Sequence, residues 1–268
     1  MAKTQLDVLL EDNHLLIINK KPGDLAQGDK TGDESILDKA ERYIARKYNK
    51  PGKAYVGLPH RLDRPTSGVV VLCRTSKALE RMNTIFKNRT VKKKYWAVVD
   101  REPKEHQATL TDYLRKDEKK NKSFAYAHEV PNSSEARLKY KLIKSLDRYY
   151  LLEVTLETGR HHQIRAQLAN MGCHIKGDVK YGARRANQDL SIHLHARSIE
   201  FSHPVTKEKI LVVAPPPKDS IWNACLKKIP KVEESDFFYH QRNYSIFLKS
   251  KALIKGLDKT PFESLNNG

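Results

Sequence analysis

The stretch GLPHRLDRPTSGVVVLCR, residues 57–74, sets one carboxylate, Asp63, among Arg61 and Arg64, beside a turn and just ahead of an apolar run. A free aspartate is ionised at neutral pH, and one that is held and aimed can serve as nucleophile or base. Two further residues could work with it: Tyr95 in KKKYWAVVD and Arg165 in HHQIRAQLANMG. A carboxylate, a two-pronged guanidinium and an aromatic face would together make a site that needs no cofactor. Taken singly, each residue also has an ordinary explanation. Asp63 between arginines can be a surface ion pair worth at most about 1 kcal/mol. Tyr95 can be core, and Arg165 can be a solvated residue near a helix start, where the dipole favours anions instead.

Two other chemistries compete. Eleven histidines, including His161-His162 and His193-x-His195, could in principle hold a metal. An HxH pair on a strand does put two imidazoles on one face, but no third ligand at useful spacing, no HExxH and no cysteine pair supports it. A nucleotide-binding loop is missing altogether, because KPGD and KGDVKYG hold too few glycines in the right frame to cradle a pyrophosphate.

The elements that must position these residues can be read from the pattern. HLLIINK (14–20) reads as a buried strand ending in a turn. GDESILDKAERYIARKY carries Ile36, Leu37, Ala40, Tyr43 and Ile44 at helical spacing, with Asp33 as the expected N-cap. VVVLCR is strand-like, and TSKALERMNTIFKNR repeats the helical pattern from Ser76. In 92–100, Tyr95, Ala97 and Val99 alternate with Trp96 and Val98 as in a strand. The lysine-rich 115–123 reads as an exposed loop, and 136–159 reads as a hairpin with Leu138, Tyr140 and Leu142 facing Tyr150, Leu152, Val154 and Leu156. HHQIRAQLANMG is a short helix closed by Gly172. Two more strands follow in 191–204 and 209–217. Strands and helices mix irregularly, so the fold class is α+β, not doubly wound. Residues 1–217 are expected to form one catalytic domain, and 218–268 an extension whose fold the pattern does not reveal.

The chain has 268 residues, with 50 Lys plus Arg against 32 Asp plus Glu, a formal net charge of +18. Such a surplus favours polyanions, nucleic acid first. No apolar run approaches a membrane span, no secretory signal is evident, and Cys73, Cys173 and Cys225 are too scattered for a disulfide framework. A reduced, cytoplasmic protein facing RNA or DNA is expected, with no membrane partner.

HRLDRPTSG (60–68), KKYWAVV (93–99), TGRHHQIRAQLANMGCHIKGDVKYG (158–182) and LHARSIEFSHP (194–204), in this order and spacing, closely resemble the RluA-like branch of RNA pseudouridine synthases, over roughly residues 7–214. His161 stands where the family often has Thr, and Gln27 where it often has His. The separate N-terminal RNA-binding module of many members is not seen.

The resemblance implies a mixed, mostly antiparallel sheet with helices and loops around a central cleft, and isomerisation of uridine to pseudouridine without metal, nucleotide or redox cofactor. By position it makes Asp63 the catalytic aspartate and pairs Arg165 with it. It makes Tyr95 the residue that stacks on the target base, where stacking is worth about 1–3 kcal/mol. Leu168 would add an apolar wall, and Arg61 would fill the space left by a flipped-out nucleotide. His60 and Arg64 would support the loop or contact RNA, while Thr66, Ser67 and Gly68 would shape the turn. Lys87, Arg89, Lys92, Lys93 and Lys94, with Lys116, Lys119, Lys120 and Lys122 nearby, are expected to meet phosphates. The RNA would be ribosomal ahead of transfer RNA, and the protein a monomer. A non-catalytic RNA-binding protein and a metal-dependent nuclease are the rival readings.

Overall fold

Leu15, Leu16, Ile17 and Ile18 follow one another without a polar break and lie in β2 (Leu15–Lys20). In the computed structural model of the chain, which describes residues 6–28 and 32–227, β2 pairs antiparallel with β1 (Val8–Glu11) and β3 (Ser67–Cys73). All seven residues of β3 are buried, as an uninterrupted apolar strand should be when both faces are covered. Helix α1 (Ile36–Lys47) packs Ile36, Ala40 and Ile44 on one face, against Leu16, Ile18, Val70 and Leu72. Helix α2 (Ser76–Lys87) packs Ala78 and Met82 on the other, against Leu15, Ile17, Val69 and Val71. Each buried Leu, Ile or Met stabilises this double layer by roughly 1.5–3 kcal/mol.

Asp33 does not cap α1. Ser35 does, accepting from the Asp38 N–H while the Asp38 carboxylate accepts from the Ser35 N–H. The reciprocal pair satisfies two orphan donors at once, which a lone aspartate cannot do. Asp33 instead meets Arg64. Thr75, one residue ahead of Ser76, caps α2.

The remaining strands are β4 (Lys92–Val99), β5 (Gln107–Asp117), β6 (Lys122–Tyr126), β7 (Ser134–Ser145), β8 (Tyr150–Leu156), β9 (Leu194–Ser202) and β10 (Lys209–Val213). Among the described residues the ten strands form one sheet in the order β1-β2-β3-β9-β4-β8-β7-β5-β6, with β10 beside β9. Every pairing between these strands is antiparallel except β3 with β9. The architecture is the expected mixed, mostly antiparallel α+β fold. One edge of β9 is shared: His195 and Ala196 pair with Ser67 and Gly68, and Ser198–Ser202 pair with β10. Gly68 makes that junction feasible. Its φ is +114°, and a Cβ there would lie 2.6 Å from the Ala196 amide nitrogen, with the carbonyl oxygen closer still.

On the other half of the sheet, β7 alternates between buried and exposed residues, as expected of a strand with one solvated face. Helix α3 (Gln163–Asn170) covers the apolar side, inserting Ile164 and Leu168 among Ala97, Val99, Leu138, Tyr140, Leu152 and Val154. It ends in a Schellman motif: Gly172 N–H donates to Ala169 O (3.0 Å) and Cys173 N–H to Leu168 O (3.0 Å), with Gly172 at φ +81°.

Two further expectations change. Residues 115–123 are not a loop, because β5 and β6 pair from Tyr113–Tyr126 to Asp117–Lys122 and only the tip between them turns. Its lysines mask the alternation, and the ammonium groups of Lys120 and Lys122 lie over the ring of Phe124 at 6.0 and 5.4 Å. The compact unit also continues past 217 to Lys227. Helix α4 (Ser220–Leu226) buries Trp222 and Cys225, and Lys144 Nζ donates to the Ala224 carbonyl (2.7 Å). The rest of the expected extension lies outside the described residues.

Candidate active site

The turn bearing Asp63 is pinned from several sides. Thr66 N–H closes it on the Asp63 carbonyl (3.0 Å), Gly23 N–H donates to Arg64 O (2.8 Å) and Ile192 N–H to Pro65 O (3.2 Å). Lys20, only 1% exposed, sends its ammonium to the carbonyls of Lys21 (2.9 Å), Arg64 (3.0 Å) and Thr66 (2.8 Å). Burial lowers its pKa to about 8, against the pull of Asp24 and Asp63. His60 Nε2 accepts from Val71 N–H (2.9 Å), and its ring stacks on Phe86. Burial and the nearby Lys93 lower His60 to about 3, so it holds the lone pair that this bond requires. His60 therefore supports the loop and also borders the cleft.

Arg165 reaches the turn from the first turn of α3, 102 residues away in sequence. It is 5% exposed, not solvated. Nε and Nη2 form a two-pronged bond with Asp178, at 2.7 and 2.8 Å, and Nη1 donates to Asp63 Oδ2 at 3.0 Å. Asp178 is 1% exposed, whereas the Asp63 side chain is 28% exposed. One carboxylate is thus a buried anchor and the other faces the cleft. Burial disfavours the guanidinium charge, but the two carboxylates outweigh it and hold the Arg165 pKa above its usual value. The start of α3 is fixed by Gln163, whose Oε1 accepts from Thr158 Oγ1 (2.8 Å) and Arg160 N–H (3.0 Å).

Tyr95 projects from β4 into the same cleft, its phenol pKa raised by burial and by the Asp63 charge. Asp63, Tyr95 and Arg165 line one cleft of about 420 Å³. Leu62, Val91, Leu156, Ile164 and Leu194 give it apolar walls. Leu168 does not, because it is fully buried on the sheet side of α3 and Ile164 takes the expected position. Arg61 is exposed at the cleft mouth, with Lys87, Arg89, Lys93 and Arg160 also lining it.

The three consecutive lysines divide. Lys93 shares the cleft face of β4 with Tyr95, and burial lowers its pKa. Lys92 and Lys94 point the other way and pair with Glu200 and Glu153, each at 2.9 Å. Arg64 also turns from the cleft, bonding the Gly23 carbonyl (3.1 Å) and Asp33 (2.7 Å). Of the histidines weighed as metal ligands, His195 bridges Ser67 Oγ and the Ala214 carbonyl, and His193 meets Asn187 and Asp219. Those bonds tie together β3, β9 and the start of α4.

Residues that the motif reading quoted without assigning them a role complete the site. Asp178 precedes and Tyr181 ends a 3₁₀ turn (Val179–Tyr181), and the Tyr181 ring lies under the Arg165 guanidinium at 5.0 Å. His162 Nε2 stands 3.4 Å from Asp63 Oδ2. Their only signal was KGDVKYG and the second histidine of the HH pair, both sequence-distant from Asp63. Chemically, the cleft places an oriented carboxylate and the Tyr95 side chain together, beneath a cationic mouth.

Comparison with known proteins agrees with this architecture. The family model for RNA pseudouridylate synthase matches residues 14–170. The solved structure of human RNA pseudouridylate synthase domain containing 4 shares the fold, with a TM-score of 0.68 at 24% identity, covering 82% of this chain and 92% of that one. The uncharacterized RNA pseudouridine synthase YhcT of Bacillus subtilis is 33% identical over 221 residues, 80% of this chain and 70% of that protein. Ribosomal large subunit pseudouridine synthase C of Buchnera aphidicola is 30% identical over 230 residues, 83% of this chain and 70% of that one. The chain belongs to the RNA pseudouridylate synthase family, whose members are isomerases. It is an RNA pseudouridine synthase.

Proposed function

We propose that the enzyme isomerises a flipped-out uridine of ribosomal RNA with Asp63 as its reactive carboxylate. The N1–C1′ bond breaks, the base turns and a C5–C1′ bond forms. C5 gives up a proton and N1 gains one, so atoms balance without a co-substrate. The carrying observation is the 3.0 Å bond from Arg165 Nη1 to Asp63 Oδ2 in a cleft shared with Tyr95. Arg165, anchored by Asp178, keeps the carboxylate aimed. Tyr95 holds the base by its face, which leaves the hydrogen-bonding edge free while the ring turns. Arg61, exposed at the mouth, fills the stack the nucleotide leaves, and Lys87, Arg89, Lys93 and Arg160 meet the phosphates on either side. Ribosomal RNA ranks ahead of transfer RNA because several of the relatives are ribosomal large subunit pseudouridine synthases C.

Asp63→Asn, nearly equal in volume, tests the chemistry: pseudouridine formation is lost and RNA binding is largely kept. Undiminished conversion by this variant refutes the role of Asp63. Mapping pseudouridine across all stable RNAs with and without the gene tests the substrate. A site missing only from transfer RNA overturns the ribosomal choice.

A further inference from the structure

His162 stands immediately ahead of α3. It precedes α3 in the left-handed region, φ +52° and ψ +26°, and its side chain caps nothing. The ring is instead placed between two hydroxyl and carboxylate partners. Nδ1 lies 2.9 Å from Tyr181 Oη, and Nε2 lies 3.4 Å from Asp63 Oδ2. Tyr181 Oη already accepts from the Ser123 N–H (2.8 Å), a group that can only donate. Its own proton therefore has one satisfying destination, His162 Nδ1, and the imidazole proton must sit on Nε2. The opposite tautomer would strand the phenol proton and aim a lone pair at the carboxylate. Burial and the Arg165 charge lower the His162 pKa to about 2, so the ring meets Asp63 as a neutral contact at 3.4 Å, not as a second cation. His161 backs the ring face to face at 3.8 Å, and is itself bonded to Ser123 Oγ.

Arg165 Nη1 and His162 Nε2 thus converge on the same oxygen. No described residue hydrogen-bonds Oδ1. We propose that His162, its tautomer set by Tyr181, is a positioning residue that immobilises Asp63 Oδ2 together with Arg165, so that Oδ1 is the oxygen presented to the nucleoside. The inference rests on Asp63 being the reactive carboxylate.

The test compares His162→Leu, His162→Gln and Tyr181→Phe with the parent and with Asp63→Asn. Each is incubated in excess with total RNA from cells lacking the gene; conversion at the mapped uridine is followed in time and RNA binding is measured alongside. His162→Leu is expected to slow conversion at saturating enzyme about a hundredfold, the penalty of a misplaced reactive group, with binding within twofold. His162→Gln, which restores an N–H at the same reach, recovers most of the rate. Tyr181→Phe loses about tenfold, the worth of one hydrogen bond. With Asp63→Asn inactive, a parental rate in His162→Leu, or no recovery in His162→Gln, overturns the inference and leaves the role of Asp63 standing. Should His162→Leu not fold, Tyr181→Phe decides, and a parental rate there overturns it. Activity in Asp63→Asn removes the reading beneath.

Discussion

Asp178→Asn separates the anchor of the site from its chemistry. Asp178 and Arg165 are 1% and 5% exposed and joined by two bonds of 2.7 and 2.8 Å. Removing one charge of a buried pair costs about 3–5 kcal/mol, because the other is left uncompensated. Arg165 would retain Asp63, which places the expected loss near the lower end, at about 3 kcal/mol. For a unit of this size each kcal/mol lowers the melting temperature by about 2–4 °C, so the variant should melt about 6–12 °C lower. Asp63→Asn removes the other partner of the same guanidinium, but from a side chain that is 28% exposed and therefore better solvated. Its melting temperature should fall by far less. Calorimetry of both proteins, with conversion measured below both transitions, gives opposite patterns: Asp178→Asn mainly unstable, Asp63→Asn mainly inactive. Equal melting temperatures for Asp178→Asn and the parent would show that the pair does not anchor α3.

Arg61, Lys87, Arg89, Lys93 and Arg160 line the cleft; engagement of about five phosphates should weaken RNA binding roughly a hundredfold between 50 and 200 mM salt in a filter assay, and a flat response would remove them from the interface. Gly68→Ala should prevent a soluble fold, since its Cβ would enter the Ala196 backbone at a φ that alanine avoids; soluble protein with the parental melting temperature would contradict the close approach of β3 and β9. His60, His162 and His195 have pKa values lowered to about 3, 2 and 3 by burial, against about 6.5 unfolded. The unfolded chain binds their protons first, so their stabilisation is complete above pH 6.5 and is lost as pH falls toward 3. Between pH 7 and 5 each should forfeit about 2 kcal/mol, seen as a falling urea midpoint; an unchanged midpoint would show these rings to be charged in the fold.

Much of this was legible because the relevant signals are local. The apolar run 15–18, the helical spacings of 36–44 and 79–86 and the glycine closing α3 each act within a few residues, and each element formed where the pattern placed it. Asp63, Tyr95 and Arg165 were singled out from motif context. What the pattern missed depends on distance or direction. Nothing near Lys20 announces that its ammonium will hold a loop 44 residues away. Leu168 and Ile164 lie one turn apart, and spacing alone does not say which one faces the cleft. The lysine run could have been divided by strand alternation, which puts Lys93 on the side of Tyr95 and Lys92 and Lys94 behind it. The hairpin at 113–126 was hidden because charged side chains on a solvated strand look like a loop.

All the hydrogen-bonding directions described for Arg165 point inward, to Asp178 and Asp63, which leaves little of it to greet an incoming polyanion. At the bottom of the cleft its positive charge is matched by two negative ones; even counting Lys20 behind the loop, that region is balanced. The rim above carries four exposed cations, Arg61, Lys87, Arg89 and Arg160. A phosphate therefore gains all its attraction at the lip and nothing by descending, while an uncharged sugar and base meet no such preference. Under the proposed function, the cleft would sort a nucleotide by polarity along its own length, keeping the backbone high and admitting the nucleoside.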